Sequence, residues 1–358
     1  MTNPCLIIGP LPPAIGGIAT IVGSLKNALH GDESVVFLNT SPAAKPGYRI
    51  LRPFRSFLNV ALAAARSPRG TVLMFSSAHA SFWEKCLWCL VFKLFGWSTV
   101  VQMVDGNFPR FHRAMSRPAK WLASRLIGNV DIIAAQSPRW KAFYEGIFPR
   151  TAIRIVSPGV DTQFFRPPVE REIREGVEIC YIGWLIEAKG IYDLLDAARL
   201  LKSGGAKFRL KLIGPAFGAE ERIADYVEAR GLTAQVHMPG PITSRDEIRA
   251  AYHSADIFVL PSHFEGFPYA LMEASASGLA CVGTRVGGIP DILENGQCGI
   301  LVDSAAPVAL AEALSKLIGD ADARAHYGSR ARARATAQYS LPKSVNDFVS
   351  VLAAVKER

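Results

Sequence analysis

Short apolar runs alternate along the chain with longer amphipathic segments. Apolar runs bounded by Gly, Pro or polar residues predict strands, and the segments between them, with apolar residues at helical spacing, predict helices. The strands predicted in the first half are 5–9, 35–39, 71–75, 99–104, 131–135 and 154–157. Those predicted in the second half are 178–182, 207–213, 235–238, 257–260, 281–284 and 299–302. This alternation predicts parallel sheets covered by helices, and therefore an α/β protein.

Length and composition favour two domains. The chain has 358 residues, of which 49% are hydrophobic, and this is enough for two cores. The segment 157–176 contains Pro and Gly and separates the two series of strands, which makes it the best linker candidate. We therefore predict one Rossmann-like domain over residues 1–170 and a second over residues 171–341.

The net charge of +9 resides in the first half of the chain. Residues 1–170 hold 19 Lys and Arg against 8 Asp and Glu, a balance of +11, whereas residues 171–358 hold 21 against 23, a balance of −2. Such a basic half would be attracted to an anionic membrane leaflet or to a phosphate-bearing acceptor, although charge that merely solubilises the domain explains it equally well. Trp83, Trp88 and Trp97 surround an apolar helix in this half, which fits a membrane contact or simple core packing. The sequence contains no aromatic-interleaved basic module, so no nucleic-acid partner is expected.

Cysteine usage and hydropathy predict a reducing compartment. No apolar run reaches the roughly 18 residues that span a bilayer, which predicts a cytoplasmic protein, peripheral at most at the inner face of the cell membrane. The six cysteines lie in apolar surroundings and are expected to be reduced core thiols. Cys86 and Cys89 form a C-x-x-C without a second pair, and Asp320-Ala-Asp322 is interpreted as a helix start, so no metal site is expected.

One segment of the second half carries two carboxylates around a turn. The predicted strand 257–260 ends at Pro261, which cannot continue a central ladder. A loop and a helix that starts at a proline follow, and the free N–H groups and positive dipole of such a helix suit an anionic, polyhydroxylated ligand. The residues of this segment are Glu265, Gly266, Phe267, Pro268 at the first helical position and Glu273 within the helix.

Glu265 and Glu273, with seven residues between them, match the E-x7-E pattern of the retaining glycosyltransferases of the GT-B fold in family 4, glycosyl transferases group 1. The chain resembles enzymes in which two Rossmann-like domains face each other across a cleft. The resemblance implies that Glu265 and the backbone of residues 266–268 hold the sugar ring of a nucleotide-sugar donor. It implies that Glu273 holds the ribose hydroxyls, and that a helix over about 342–358 packs back on the first domain.

Three further segments resemble parts of the same family. Residues 181–190 are similar to the segment that closes on the diphosphate, with Lys189 placed before a helix N-terminus to stabilise the departing nucleoside diphosphate, unless it is simply a solvated surface lysine. The loop containing Ile242 is similar to the one that contacts the base through its backbone. Gly16 and Gly17 are similar to the glycine loop that approaches the β-phosphate and the acceptor, although a plain turn is the alternative.

Two positions depart from the family pattern. Trp184 stands where relatives carry an arginine that binds phosphate, so it either lines the donor pocket or packs at the strand end. Asp105 stands where relatives carry a histidine, and a carboxylate there would accept a sugar hydroxyl or serve the acceptor. His79 and His112 lie nearby in the sequence and are candidates to compensate.

The function implied by the resemblance is retaining hexosyl transfer. A UDP- or GDP-sugar would donate to a glycan or lipid-linked acceptor in bacterial cell-surface polysaccharide or lipopolysaccharide biosynthesis, without any required cofactor. Glu265, Lys189 and Asp105 are the candidate catalytic residues. The alternatives are a glycan phosphorylase or nucleotide-sugar epimerase on the same fold, or a catalytically silent scaffold. A nicotinamide-dependent dehydrogenase is disfavoured because no G-x-G-x-x-G follows the first strand.

Overall fold

The computed structural model describes residues 4–11, 17–40, 69–169 and 176–355. These residues divide into two compact units, one comprising Met1–Gly159 and Leu341–Arg358 and the other Val160–Ser340. Each unit is built around a six-stranded sheet.

The division lies between Gly159 and Val160, before the boundary predicted near residue 170. The Val160 N–H donates to the Tyr339 carbonyl over 2.8 Å. Phe165 is buried in the hydrophobic core of the second unit. Residues just after Gly159 are therefore held by the second unit, although their Pro- and Gly-containing sequence resembles a linker.

The first sheet is entirely parallel, with strand order β2-β1-β3-β4-β5-β6. Continuous apolar stretches form β1, β3 and β5 because helices cover both faces of such a sheet. The strands are β1 (Cys5–Gly9), β2 (Val35–Asn39), β3 (Thr71–Ser76), β4 (Ser98–Met103), β5 (Ile132–Ala135) and β6 (Ala152–Ile155). The helices described before β6 are α1 (Gly17–Ala28), α2 (Ala80–Leu94), α3 (Phe108–Ala114), α4 (Arg117–Ile127) and α5 (Pro138–Ile147).

Capping residues and aromatic packing define the helices of the first unit. The Ser137 hydroxyl accepts the Trp140 N–H over 3.3 Å at the start of α5, which has Pro138 as its first residue. Trp88 and Trp97 are buried in the core. The prediction that the tryptophans around α2 contact a membrane is therefore wrong for Trp88 and Trp97, because their rings are buried among the apolar side chains of the core.

The second sheet is also parallel, with strand order β12-β11-β10-β7-β8-β9. Its strands are β7 (Val177–Ile182), β8 (Phe208–Ile213), β9 (Val236–Gly240), β10 (Ile257–Leu260), β11 (Ala280–Thr284) and β12 (Ile300–Val302). Its helices are α6 (Ile191–Ser203), α7 (Glu220–Ala229), α8 (Arg245–His253), α9 (Tyr269–Ala276), α10 (Ile289–Ile292), α11 (Pro307–Gly319) and α12 (Ala321–Gln338). The last helix, α13 (Leu341–Ala354), belongs to the first unit, where Phe348 packs on Phe75.

The predicted α/β architecture with two parallel sheets is confirmed, and each predicted strand has a counterpart. The predicted strand 154–157 lies two residues earlier, at Ala152–Ile155. Pro268 was predicted as the first helical residue but is the N-cap of α9, whose helical residues begin at Tyr269. Asp320 caps α12 by accepting the Ala323 N–H over 2.8 Å, as the helix-start interpretation requires. All six cysteines are buried, none forms a disulfide in the part of the chain that the structure describes, and burial raises the pKa of Cys86 to about 12.

Each sheet has a point at which the strand order reverses. The first strand of the second unit, β7, lies between β8 and β10, so chain connections leave it in both directions. Ligands of open parallel sheets bind outside the carboxyl ends of the strands at such a point. The loops that follow β7 and β10 meet there, and they contain Lys189 and Glu265 respectively.

We predict that Gly190→Ala destabilises the second unit more than Gly205→Ala does. Both glycines have positive φ, 71° and 78°, so both substitutions carry the left-handed penalty of about 1–2 kcal/mol. A Cβ at Gly190 would lie 2.0 Å from the Pro261 carbonyl oxygen, whereas a Cβ at Gly205 meets nothing within 4 Å. The steric clash should cost about 1–3 kcal/mol more in urea unfolding. Equal losses in the two variants would contradict the close approach.

Candidate functional site

An ion pair joins the two loops at the reversal point of the second sheet. Lys189 ends a single 3₁₀ turn, Glu187–Lys189, and Glu265 lies in the loop after β10. The Lys189 Nζ is 2.6 Å from the Glu265 Oε1, and the two side chains are 24% and 10% exposed. Lys189 is therefore not the solvated surface lysine that was the alternative interpretation. The structure brings together the two residues predicted to contact the phosphate and the sugar.

The backbone also holds these two loops against each other. The His263 N–H donates to the Ala188 carbonyl over 3.0 Å, and the His263 Nε2 is 2.5 Å from an Asp193 carboxylate oxygen on α6. The pairing places the end of the β7 loop and the start of the β10 loop side by side. Through His263, the Glu265 loop is thus tied to the residue before Lys189 and to the first turn of α6.

Ser262 is a site residue that the sequence reasoning missed. Its hydroxyl donates to the Glu265 Oε1 over 2.8 Å, the same oxygen that binds Lys189. Its own carbonyl accepts the Thr284 hydroxyl over 2.6 Å, and its side chain is buried. The available signal was its position three residues before Glu265, directly after the proline that ends the strand.

Gly287 and Gly288 hold the Glu265 loop on another side. A Cβ at Gly287 would lie 1.9 Å from the Glu265 carbonyl oxygen, and the Gly288 N–H donates to the Gly266 carbonyl over 2.8 Å. Phe267 is buried and contacts the Tyr339 ring at a centroid distance of 5.4 Å. Residues 266 and 267 are therefore fixed by their neighbours in the second unit.

Glu273 lies on α9 in surroundings of low polarity. Burial raises its pKa from the usual 4.5 to about 7, while a hydrogen bond from Tyr252 and the charge of Arg245 act in the opposite direction. The Tyr252 hydroxyl donates to the Glu273 Oε2 over 3.0 Å. A carboxyl group that titrates near neutrality can donate as well as accept hydrogen bonds to hydroxyl groups. Tyr252 gave no sequence signal because it lies on another helix, 21 residues earlier.

Trp184 is half exposed, at 49%, so the alternative that it packs in the core is wrong. Its ring contacts Phe217, which the sequence reasoning did not single out, at a centroid distance of 5.4 Å. Ile242 is partly buried and packs against the second core. This packing supports the loop that contains Ile242, and the predicted contact of its backbone with a base stays a prediction.

In the first unit, Asp105 anchors the loop after β3. Its Oδ2 accepts the Ala78 N–H over 2.9 Å and its Oδ1 accepts the Asn107 N–H over 2.7 Å. His79, in that loop, has a φ of 61° and packs on Phe111 at 4.7 Å. Each carboxylate oxygen keeps a second lone pair, so the predicted contact of Asp105 with a sugar hydroxyl stays a prediction.

Three other residues of the first unit that the sequence predicted give less information about the site. Gly16 lies outside the described residues, and Gly17 is the first residue of α1. Burial lowers the pKa of His112, which lies on α3, so its imidazole is neutral over a wider pH range.

The second-unit site combines groups suited to a sugar and to a phosphate. It offers a cation at Lys189, carboxyl groups at Glu265 and Glu273, and the N-terminal ends of α6 and α9. A lysine and a helix N-terminus stabilise negative charge, while carboxylates bind vicinal hydroxyls.

Residues 166–334 match the family model of the glycosyl transferases group 1. WcaL of Escherichia coli K12, assigned provisionally as a colanic acid biosynthesis glycosyltransferase, is 34% identical over 58% of this chain and 52% of its own length. D-inositol 3-phosphate glycosyltransferase of Corynebacterium jeikeium is 32% identical over 59% of this chain and 54% of its own length. The match thus spans about half the length of these relatives.

Solved structures show that the predicted GT-B fold is correct. Sucrose-phosphate synthase of Thermosynechococcus elongatus has a TM-score of 0.82 at 17% identity and covers 99% of this chain and 100% of its own. HepE of Anabaena in complex with UDP-glucose has a TM-score of 0.78 at 14% identity, covering 98% and 99%. The lipopolysaccharide outer core galactosyltransferase WaaB has a TM-score of 0.73 at 17% identity, covering 98% and 99%.

We predict that Glu273→Gln changes how stability depends on pH. Glu273 has a folded-state pKa of about 7, above its usual 4.5, so the unfolded chain loses this proton at lower pH than the folded chain. This group therefore reduces wild-type stability as pH rises from about 4.5 to about 7, and adds no further change above that. Urea unfolding should show that the stability of the variant relative to the wild type rises across this window. A pH-independent difference would contradict the raised pKa.

Proposed function

We propose that this protein is a retaining glycosyltransferase of family 4 that transfers a hexosyl group from a nucleotide-sugar donor to a glycan or lipid-linked acceptor. The observation that carries the proposal is the cluster of Lys189, Glu265 and Ser262 at the reversal point of the second sheet, within the group 1 domain. A sheet edge of this kind is where open α/β folds bind ligands.

The donor in this proposal is a UDP- or GDP-sugar held by the second unit. HepE, a structure with the same fold, was solved with UDP-glucose, which supports a UDP-sugar as the first donor to test. Glu265 and the backbone of residues 266–268 would bind the sugar, and Glu273 would bind the ribose hydroxyls. Lys189 and the N-terminus of α6 supply positive charge for the diphosphate, so the proposed reaction requires no metal or other cofactor.

In the proposed reaction, the acceptor hydroxyl attacks the anomeric carbon on the face that the leaving group occupies. The bond between the anomeric carbon and the phosphate oxygen breaks through an oxocarbenium-like state, and the acceptor proton passes to that phosphate oxygen. Lys189 exchanges its contact with Glu265 for the diphosphate and stabilises the charge that develops there. Glu265 is then free to accept sugar hydroxyls. The configuration at the anomeric carbon is retained.

The acceptor and setting that we propose are those of cell-surface polysaccharide or lipopolysaccharide synthesis. The names of WcaL and WaaB point to such pathways for those proteins. The excess of positive charge in the first half of the chain suits an acceptor that carries phosphate or lies at an anionic surface.

We also propose that the first unit binds the inner face of the cell membrane peripherally. Exposed apolar side chains lie on α2 and α4, which pack on each other, and at the C-cap residue of α2, Phe95. They are Leu94 at 84% exposure, Phe95 at 44%, Trp121 at 62% and Leu122 at 43%. Arg125 lies over the Trp121 ring at 5.4 Å, which combines a cation with an interfacial aromatic ring. Within the described ranges, no helix is long and apolar enough to cross a bilayer.

A catalytically silent scaffold is the second candidate function. Trp184 brings no charge to the phosphate position, and both oxygens of Asp105 accept backbone N–H groups. If the chain only binds its donor, nucleotide binding will be measurable while neither transfer nor donor hydrolysis occurs with any acceptor extract.

We predict that Lys189→Ala lowers turnover about 100- to 1,000-fold, while the Kd for the donor changes much less. The loss follows because a positioned cation acts most strongly on charge that develops in the transition state. Lys316→Ala, which removes an exposed lysine from α11, is the matched control for charge and should keep wild-type turnover. Steady-state kinetics and calorimetry with the donor separate the two effects. Wild-type turnover in Lys189→Ala would reject the assigned role.

We predict that a Trp121→Ser, Leu122→Ser double variant binds anionic vesicles at least 5-fold more weakly than the wild type. Sedimentation with vesicles of phosphatidylglycerol and phosphatidylethanolamine measures this, at low and high salt. Binding should weaken with salt because the basic charge contributes to it. Val308→Ser removes an exposed apolar side chain from the second unit and should bind as the wild type does. Absence of wild-type binding at low salt would reject the membrane proposal.

A further inference from the structure

Two large aromatic rings are presented to solvent at the carboxyl edge of the second sheet. Trp184 follows β7 and is 49% exposed, and Phe217 follows β8 and is 65% exposed. The rings meet edge to face, with centroids 5.4 Å apart and planes at 85°. Single exposed apolar residues are ordinary, but two contacting rings on neighbouring strand ends form a surface that core packing does not explain.

The backbone fixes both loops that carry these rings. The Gly183 N–H donates to the Ile213 carbonyl over 3.0 Å, and the Leu185 N–H donates to the Pro215 carbonyl over 2.9 Å. A Cβ at Gly214 would lie 1.8 Å from the Gly183 carbonyl oxygen, so the two loops are in direct contact. The backbone therefore holds the two loops that carry the aromatic pair next to each other.

Phe217 occupies a backbone conformation that disfavours it. Its φ is 54°, in the left-handed region where Gly, Asn and Asp are common and bulky residues are outliers. Its ring is mostly exposed, so little packing energy offsets this strain. Strain of this kind that persists beside a candidate ligand site indicates a functional reason for the side chain.

The position of the pair within the sheet indicates what it contacts. The strands run in the order β10, β7, β8, β9, so their loops present Glu265, then Lys189 with Trp184, then Phe217, and then Ile242. In the proposed function, Glu265 takes the sugar and Lys189 takes the diphosphate. The aromatic pair then lies on the side of the diphosphate away from the sugar, where the nucleoside of the donor continues.

We propose that Trp184 and Phe217 form a platform on which the nucleobase of the donor stacks. This inference rests on the proposed function and deepens it, because it identifies residues that bind the base through their side chains. Every nucleobase has a flat π-face, and stacking on an aromatic side chain supplies about 5- to 150-fold in affinity per base. In relatives, an arginine at the position of Trp184 binds the phosphate through its charge. Here, stacking of the base on the aromatic pair would supply binding energy instead.

Calorimetry with UDP, GDP, ADP, UDP-glucose and inorganic pyrophosphate tests the platform. Phe217→Asn removes the ring and keeps a residue that tolerates the left-handed conformation, and Trp184→Ala removes the second ring. Each variant should weaken binding of the preferred nucleoside diphosphate at least 5-fold and leave pyrophosphate binding within about 2-fold. Phe217→Asn should also be at least as stable as the wild type in urea, which excludes misfolding as the cause.

Ala305→Asn is the matched control for relief of strain. Ala305 is exposed, lies in the second unit and also has a φ of 54°, but it brings no ring. The Ala305→Asn variant should bind nucleotides as the wild type does. Trp184→Phe, which keeps a flat ring, should retain most of the affinity that Trp184→Ala loses.

Four results would overturn the platform, and the last of them would also reject the proposed function. If both ring-deleting variants bind nucleotides as the wild type does, the rings do not hold the base. If pyrophosphate weakens as much as the nucleotide, the loops act on the phosphates instead. If UDP binding is unchanged while UDP-glucose binding falls, the rings take the sugar. If the wild type binds none of the nucleotides, the proposed function fails as well, so the two failures are distinguishable.

Discussion

The candidate site depends on close backbone approaches that only glycine permits. A Cβ would lie 1.8 Å from the Gly183 carbonyl oxygen at Gly214, 2.0 Å from that of Pro261 at Gly190, and 1.9 Å from that of Glu265 at Gly287. All three values are far below a van der Waals contact. These approaches join the loops that follow neighbouring strands of the second sheet into one fixed edge, and that edge holds the charged and aromatic side chains in place.

The Lys189 and Glu265 pair gives this edge its chemical character. Both side chains are shielded from water, so separating them without a replacement partner would leave a costly isolated charge. A donor that offers phosphate to the lysine and hydroxyls to the carboxylate supplies both replacements at once. In the proposed exchange, the hydrogen bond from Ser262 would hold Glu265 in place. Glu273, with a pKa of about 7, places a second carboxyl group in the same unit.

The sequence was a good guide to the strands and to the residues of linear motifs. Buried parallel strands are continuous apolar runs, and motifs such as the one that contains Glu265 and Glu273 are local in the chain. The boundary between the two units, after Gly159, was harder to predict from the sequence. The segment that follows contains Pro and Gly and resembles a linker, although its residues pack on a core. Ser262, Tyr252 and Phe217 escaped prediction because their importance arises from partners that are distant in sequence, or from a backbone conformation that composition does not reveal.

Hydrogen–deuterium exchange in the presence of UDP, GDP or ADP tests the central claim most directly, namely that the edge of the second sheet is the donor site. The account predicts that at least one nucleotide slows exchange in residues 183–190, 213–218 and 262–273. Peptides from α4 in the first unit should exchange at the same rate with and without nucleotide. If no nucleotide protects these loops, or if protection appears only at other loops of the second unit, the account is contradicted.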